Sequence, residues 1–296
     1  MLDVLLFALG IVLYIFVNSL FQPTPIGDTG TVRFKTVPYM TLFLIIANSL
    51  IFMIFQAPNY YQGSQLLFLD DNSSQGIRMI DGYITQVWTY GYRSLFMQEQ
   101  LSIGAFVGFT SMFMHADMWH LLFNMIYLWT FGRRVEDACG PWRYLVFYLA
   151  AGMVAGLGSE FFNMNGQDIP SIGASGAIAG VMGAYLVLFP TSLITCFWGI
   201  GMLLRLPIVA ILKIAGVKWA KEAPTWRWTI RLPGFILLIF FLGSELIATV
   251  TNRILNQEDL AGVNNAAHLM GFLAAVLIFF FVRKNVLTLY FSGRRL

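Results

Sequence analysis

Residues 265–282 read Asn265-Ala-Ala-His268-Leu-Met-Gly271-Phe-Leu-Ala-Ala275-Val-Leu-Ile-Phe-Phe-Phe-Val282. About 20 mostly apolar residues carry a helix across the hydrocarbon core of a bilayer. This run approaches that length with one titratable side chain, His268, inside it. Similar apolar runs cover residues 4–21, 39–57, 109–131, 143–163, 175–189 and 233–250. Of the 296 residues, 58% are hydrophobic and only 11% charged, with a mean hydropathy of +0.70. So few charges cannot cover a soluble fold of this apolarity, which excludes a soluble enzyme and a disordered chain. The net charge of +3 also excludes a nucleic-acid binder working through a basic surface. The composition is that of a polytopic membrane protein.

The first run could be mistaken for a secretory signal. It opens Met1-Leu2-Asp3, with no basic stretch ahead of it and no small-x-small cleavage site after it, so a retained membrane segment is expected. Cys139 and Cys196 are too few and too far apart for a disulfide framework or a four-ligand metal cage.

The segment 192–216 decides the topology. It is apolar but carries Arg205-Leu-Pro207, a charge and a helix breaker together. If it does not cross, and the loop 58–105 faces outside, only Arg78, Arg93 and Arg253 of the 18 lysines and arginines lie outside. The remaining 15 share the other side, which the positive-inside bias makes cytoplasmic. A crossing would strand Arg283, Lys284, Arg294 and Arg295 outside, so residues 191–231 are expected to be cytoplasmic or re-entrant. The expected fold is all-α: a six-helix membrane domain over residues 36–296, with one extra N-terminal hydrophobic helix and linker over 1–35. Met1 is then outside and Leu296 cytoplasmic, in the cell membrane. The long outside loop is rich in Gly, Asn, Gln and Tyr, and Trp88, Tyr90 and Tyr92 suit the headgroup zone.

Polar side chains inside a bilayer need a reason. All three histidines, His115, His120 and His268, fall in or at the ends of these runs. His120 and Asn124 are four apart, about 40° round a helix, and share a face; His115 lies about 140° away, on another face or at the helix entrance. The pair could join helices by hydrogen bonds. The metalloprotease pattern of two histidines four apart with a glutamate is missing. A second cluster, Pro170-Ser-Ile-Gly173-Ala-Ser175-Gly176, opens a helix running to Pro190. Residues 175–189 make a helix of about 22 Å, short of a core of ~30 Å. Such a helix starts below the membrane surface, where irregular backbone must line protein or a wet cavity. Ser175 would stand at a helix N-terminus, which favours developing negative charge; equally, it could be an N-cap. Gly176, Gly180 and Gly183 on that helix, and Gly271 and Ala275 on the last run, permit close packing of the two. Packed so, they would bring His268 within reach of Ser175; the alternative is a histidine bonded to a neighbouring carbonyl.

The motifs His115-x4-His120-x3-Asn124, Gly173-x-Ser175-Gly176 and Ala267-His268-x2-Gly271, in this order over residues 36–285, resemble the rhomboid intramembrane serine proteases. Gly132-Arg133-Arg134-Val135-Glu136-Asp137 is similar too. The resemblance implies Ser175 as nucleophile and His268 as general base, in a dyad without an acid. It implies His120, Asn124 and the Ser175 backbone N–H as oxyanion donors, with His115, Gly173, Gly176 and Gly271 as supporting motif positions. It implies cleavage of single-span transmembrane proteins within the lipid bilayer, with no metal or organic cofactor and no nucleic-acid partner. The chain departs from the family's pattern in three places: Gly104-Ala-Phe-Val107 stands where a Trp-Arg pair is common, Ala275 where a glycine is common, and Ala179 where some members carry an aromatic. A catalytically silent relative that binds transmembrane clients is the competing expectation. A transporter is disfavoured because the polar residues gather at one end of the bundle.

Overall fold

A computed structural model describes residues 23–28, 36–93, 101–160, 169–217, 229–254 and 264–292. The N-terminal hydrophobic helix expected over 4–21 lies outside these residues. The described chain is predominantly helical, and among its residues Tyr39–Gln56, Gly234–Thr251 and Asn265–Val282 are long and apolar enough to cross a membrane. Their flanks carry exposed Phe43, Ile46, Ile239, Phe240, Ile247 and Phe281, an apolar exterior suited to lipid.

By packing, the chain divides into two units, one comprising residues 1–32 with 191–237 and the other 33–190 with 238–296. The first holds a feature that corrects the all-α expectation. Strands β1 (Thr24–Asp28), β2 (Leu193–Phe197) and β3 (Thr229–Pro233) form a three-stranded antiparallel sheet in the order β1-β2-β3. Thr24 faces Phe197 and Asp28 faces Ile194, with a bulge at Ile26; Leu193 faces Pro233 and Phe197 faces Thr229. Ile194 and Cys196 are fully buried on this sheet, and burial pushes the Cys196 thiol up to about 12.

The second unit carries the helices of interest. Helix α1 (Tyr39–Ile51) continues through two wide π-helical turns, Phe52–Gln56 and Pro58–Gln62, into α2 (Gly63–Leu69), and α3 (Ser74–Tyr90) follows. The stretch 58–105 expected as an outside loop is therefore largely helical where it is described. Next come α4 (Leu101–Ser111), α5 (Met118–Tyr127) with a π turn at Leu128–Gly132, α6 (Arg133–Cys139), α7 (Pro141–Ser159) and α8 (Ser175–Leu188). After β2 comes α9 (Gly199–Ile214), in the first unit, with Pro207 inside it. Helix α10 (Gly234–Ile254) follows β3, and α11 (Asn265–Phe291) closes the series.

The apolar run 109–131 is not one helix. It breaks after Ser111 and resumes at Met118, because the Asp117 carboxylate accepts from the N–H groups of Trp119 and His120 at 2.7 and 2.8 Å and so fixes a new helix start. His115 lies in the non-helical stretch at the entrance to α5.

Helix α1 starts at Pro38, which provides no side-chain cap. Its free donors are met from α6: Glu136 accepts from Met40 N at 2.9 Å, Thr41 N at 2.8 Å and Thr41 Oγ1 at 2.7 Å. Asp137 accepts from Thr36 N and Oγ1 at 3.1 and 2.9 Å. Both carboxylates are buried, and charge-assisted bonds of this kind compensate their removal from water.

Helix α8 is the core of this unit. Every residue from Gly176 to Tyr185 is buried, and α7 and α11 pack against it. A Cβ on Gly180 would stand 2.6 Å from the Ala151 Cβ of α7 and 3.3 Å from the Gly271 carbonyl of α11. Small residues thus bring α8 and α11 together, as their spacing predicts, and α7 joins them through Ala151. With 14 residues, α8 is about 21 Å long.

Candidate active site at the start of the buried helix

The segment entering α8 is held by its backbone. Ser171 and Tyr92 exchange N–H···O bonds of 2.8 and 2.9 Å, and Gly173 N donates to the Ser111 carbonyl at 2.9 Å. Gly173 has φ +129°, a region L side chains rarely adopt, and a Cβ there would stand 2.8–2.9 Å from the His120 ring. Ala174 occupies the N-cap position and Ser175 is the first helical residue, with no side-chain capping bond. The N-cap reading of Ser175 therefore gives way: its hydroxyl is not engaged in closing the helix. The first N–H groups of α8 have no acceptor within the helix.

His120 lies across from this turn. Its Nδ1 accepts a long bond from Ala116 N at 3.4 Å, an assignment that puts the ring proton on Nε2. The Nε2–H side is the one beside Gly173, and the same hypothetical Cβ would lie 3.5 Å from Ser175 Oγ. A neutral imidazole donor thus faces the serine turn.

His115 is fully buried and edge-on to His120, with ring centroids 5.2 Å apart. The Gln56 side chain clamps its main chain, accepting from His115 N and donating to its carbonyl, both at 2.9 Å. Tyr83 OH donates to the Ala116 carbonyl at 2.9 Å, and Met118 N donates to Tyr61 OH at 3.0 Å. The loop carrying His115 is therefore braced from the turn after α1 and from the helices beyond it. Asn124, one turn past His120, is buried, and its Nδ2 has no hydrogen-bond partner among the described residues.

The third element is the start of α11. Asn264 caps it, accepting from Ala267 N at 2.9 Å, while its Nδ2 donates to Ser171 Oγ at 3.3 Å. One side chain thus starts α11 and ties it to the segment before Ser175. A Cβ on Gly176 would lie 3.9 Å from the Ala267 carbonyl. Ser175 and His268 each adjoin, in sequence, one member of this close pair. His268 Nδ1 lies 3.1 Å from Glu245 Oε2 of α10.

A cavity of about 40 Å³ lies at this junction, lined by Ser175, His120, Gly173 and Ser171 together with Tyr92 and Asn264. That volume suits a water or two, so a peptide could enter only if the lining parts. Of the site residues expected from sequence, Ser175, His120, Gly173 and Gly176 line it. His268, Asn124, His115 and Gly271 are not among its lining residues. Among the described residues no three His, Cys, Asp or Glu side chains gather at one point. A serine with an uncommitted hydroxyl, free helix N–H groups and an imidazole donor around one small polar space could support attack on a carbonyl and shelter the resulting oxyanion.

Three contributors escaped the sequence reading. Gln56 and Asp117 act on backbone, which hydropathy does not register; an acidic residue just before a helical apolar run is the signal for Asp117. Glu245 was legible as the one carboxylate within the run 233–250, costly in lipid unless paired.

The family model described as "Rhomboid domain" matches residues 105–285. The rhomboid protease GluP of Bacillus subtilis is 43% identical over 77 residues, 26% of this chain and 14% of that protein. Rhomboid protein 1, mitochondrial, of Saccharomyces cerevisiae is 27% identical over 149 residues, covering 49% and 42%. The putative rhomboid protease YdcA of Bacillus subtilis is 37% identical over 87 residues, covering 29% and 43%. The chain thus spans less than half the length of each of these relatives. The family match extends over more than half of this chain and takes in His115, His120, Ser175 and His268, so the chain belongs to the rhomboid family, whose members are embedded in membranes and include serine intramembrane proteases.

Proposed function

We propose that the protein is an intramembrane serine endopeptidase that cleaves single-span transmembrane proteins in or near their spans. The observation that carries this reading is Ser175 itself. It opens a buried helix too short to span the bilayer, makes no capping bond, and lines a polar cavity beside His120 and the start of α11.

In the proposed reaction His268 takes the Ser175 hydroxyl proton as Oγ attacks the scissile carbonyl. His120 Nε2–H, the Asn124 amide and the Ser175 backbone N–H donate to the oxyanion, each worth about 3 kcal/mol by analogy with soluble serine proteases. His268 returns the proton to the leaving amine, and water then hydrolyses the acyl-enzyme. Gly173 keeps the turn clear of the His120 ring. His115 backs that ring, and Gly176 and Gly271 set the spacing between α8 and α11.

The membrane domain in this reading comprises six helices, α1, α5 with its π turn, α7, α8, α10 and α11, preceded by a further hydrophobic helix over residues 1–21. The lysine and arginine bias supports a cytoplasmic side for residues 191–231 and an opposite side for the cavity. The relatives include mitochondrial as well as bacterial proteins, and the bilayer is specified here only by its basic inner side.

The test uses the full chain in liposomes with a single-span reporter. Ser175→Ala and His268→Ala should each reduce cleavage by more than about 10³-fold without changing the thermal midpoint. A serine-reactive fluorophosphonate should label the wild-type protein and not Ser175→Ala. Cleavage persisting in either variant overturns the assignment.

A further inference from the structure

A carboxylate in the apolar body of a membrane helix carries a cost that a partner must offset. Glu245 sits near the middle of α10, one turn after Phe241. Its Oε2 and His268 Nδ1 are 3.1 Å apart, on side chains only 13% and 12% exposed. Both atoms are buried, and neither has a hydrogen-bond partner among the described residues. They face each other without the alignment of a full hydrogen bond, an arrangement often seen in free enzymes that tightens when substrate binds. The surrounding contact is aromatic: the Phe241 ring lies 6.3 Å from both the His268 and the Phe272 rings.

We propose that Glu245 is the positioning residue for the His268 base, turning the expected dyad into a carboxylate–imidazole–hydroxyl relay. The inference rests on the protease reading above. The carboxylate accepts from Nδ1–H, which selects the tautomer whose Nε2 carries the lone pair and holds the ring in one orientation. When Oγ attacks, the O–H bond breaks and an Nε2–H bond forms. The imidazolium so produced is balanced by the Glu245 carboxylate, which keeps its own charge and exchanges no proton. The Nε2 proton then leaves on the amine of the broken peptide bond.

Glu245→Gln keeps the volume and an acceptor oxygen but removes the charge, and Glu245→Asp keeps the charge. In liposomes, Glu245→Gln should lower kcat roughly 10- to 100-fold while KM stays within about twofold, a loss confined to the transition state. Labelling by the fluorophosphonate should slow by the same factor at an unchanged thermal midpoint, and Glu245→Asp should regain most of both. A Gln variant with wild-type kcat and labelling overturns the inference. If Gln lowers the thermal midpoint, the Asp variant decides: folded with labelling restored it supports the relay, folded and as slow as Gln it overturns it. A wild-type protein that neither cleaves nor labels overturns the protease reading itself, and this inference with it.

Discussion

Helices α1 and α8 both start without a cap from their own side chains, at Pro38 and Ala174. At α1 the buried Glu136 carboxylate from α6 takes the N–H groups of Met40 and Thr41, and its neighbour Asp137 holds the incoming Thr36. At α8 a small polar cavity stands at that position, edged by His120 and Ser171. The same backbone problem has two solutions. Where acidic side chains meet the donors, the junction is an anchor and has no capacity left for a ligand. Where the donors face a cavity, they remain available to an oxygen that acquires charge during a reaction. In the proposed reading, folding energy is concentrated at the first junction and chemistry at the second.

The sharpest way to break this contrast is to unfasten the anchor. Glu136→Ala leaves the buried donors of Thr41 and the half-buried one of Met40 without acceptors and should cost about 3 kcal/mol of stability. Thermal unfolding in detergent should show the loss, while cleavage per folded molecule stays near wild type. A large fall in activity at full stability would erase the distinction between the two junctions. Gly173→Ala reverses the pattern. The left-handed backbone and the His120 ring both oppose a Cβ, so turnover should fall about 100-fold for a stability loss of about 1–3 kcal/mol. The smallest effect is expected at Tyr83, which braces the loop from outside. Tyr83→Phe should cost about 1 kcal/mol and change kcat less than threefold. Burial pushes the Tyr83 phenol up from 10.0 to about 12. Its share of stability is therefore complete below the unfolded-chain value near 10 and is lost as pH rises through about 12. A pH series of thermal midpoints should show a shallower alkaline decline in the Phe variant.

The parts of the fold legible in the sequence are those written in local pattern. Apolar length marked the starts of α1, α7, α8, α10 and α11 to within a few residues, though α11 runs nine residues past the expected end at 282, and the shortness of the run after Gly173 marked Ser175 as lying at the start of a short helix. Hydropathy merged α4 and α5 because the break depends on a single carboxylate, Asp117, amid apolar neighbours. The sheet was not legible. Its strands are five residues each, with no tight hairpin turn joining any two, and β1 finds its partner some 170 positions along the chain. The site followed the same division. Ser175, His120 and Gly173 line one cavity, whereas Glu245 reaches His268 through side-chain contacts between α10 and α11, which no spacing within either segment records.

The distance in sequence between α1 and its carboxylates has a consequence for biogenesis. Thr41 and Glu136 are separated by 95 residues, and Thr36 and Asp137 by 101. A ribosome adding ~5–20 residues per second takes roughly 5–20 s to make that interval. Throughout that time the leading end of α1 must rely on water, lipid headgroups or the insertion machinery to satisfy its amide hydrogens. The first of the six proposed core helices is therefore secured retroactively, and a defect at residue 136 would leave its leading donors unmet while the helix opened by Ser175 is still being made.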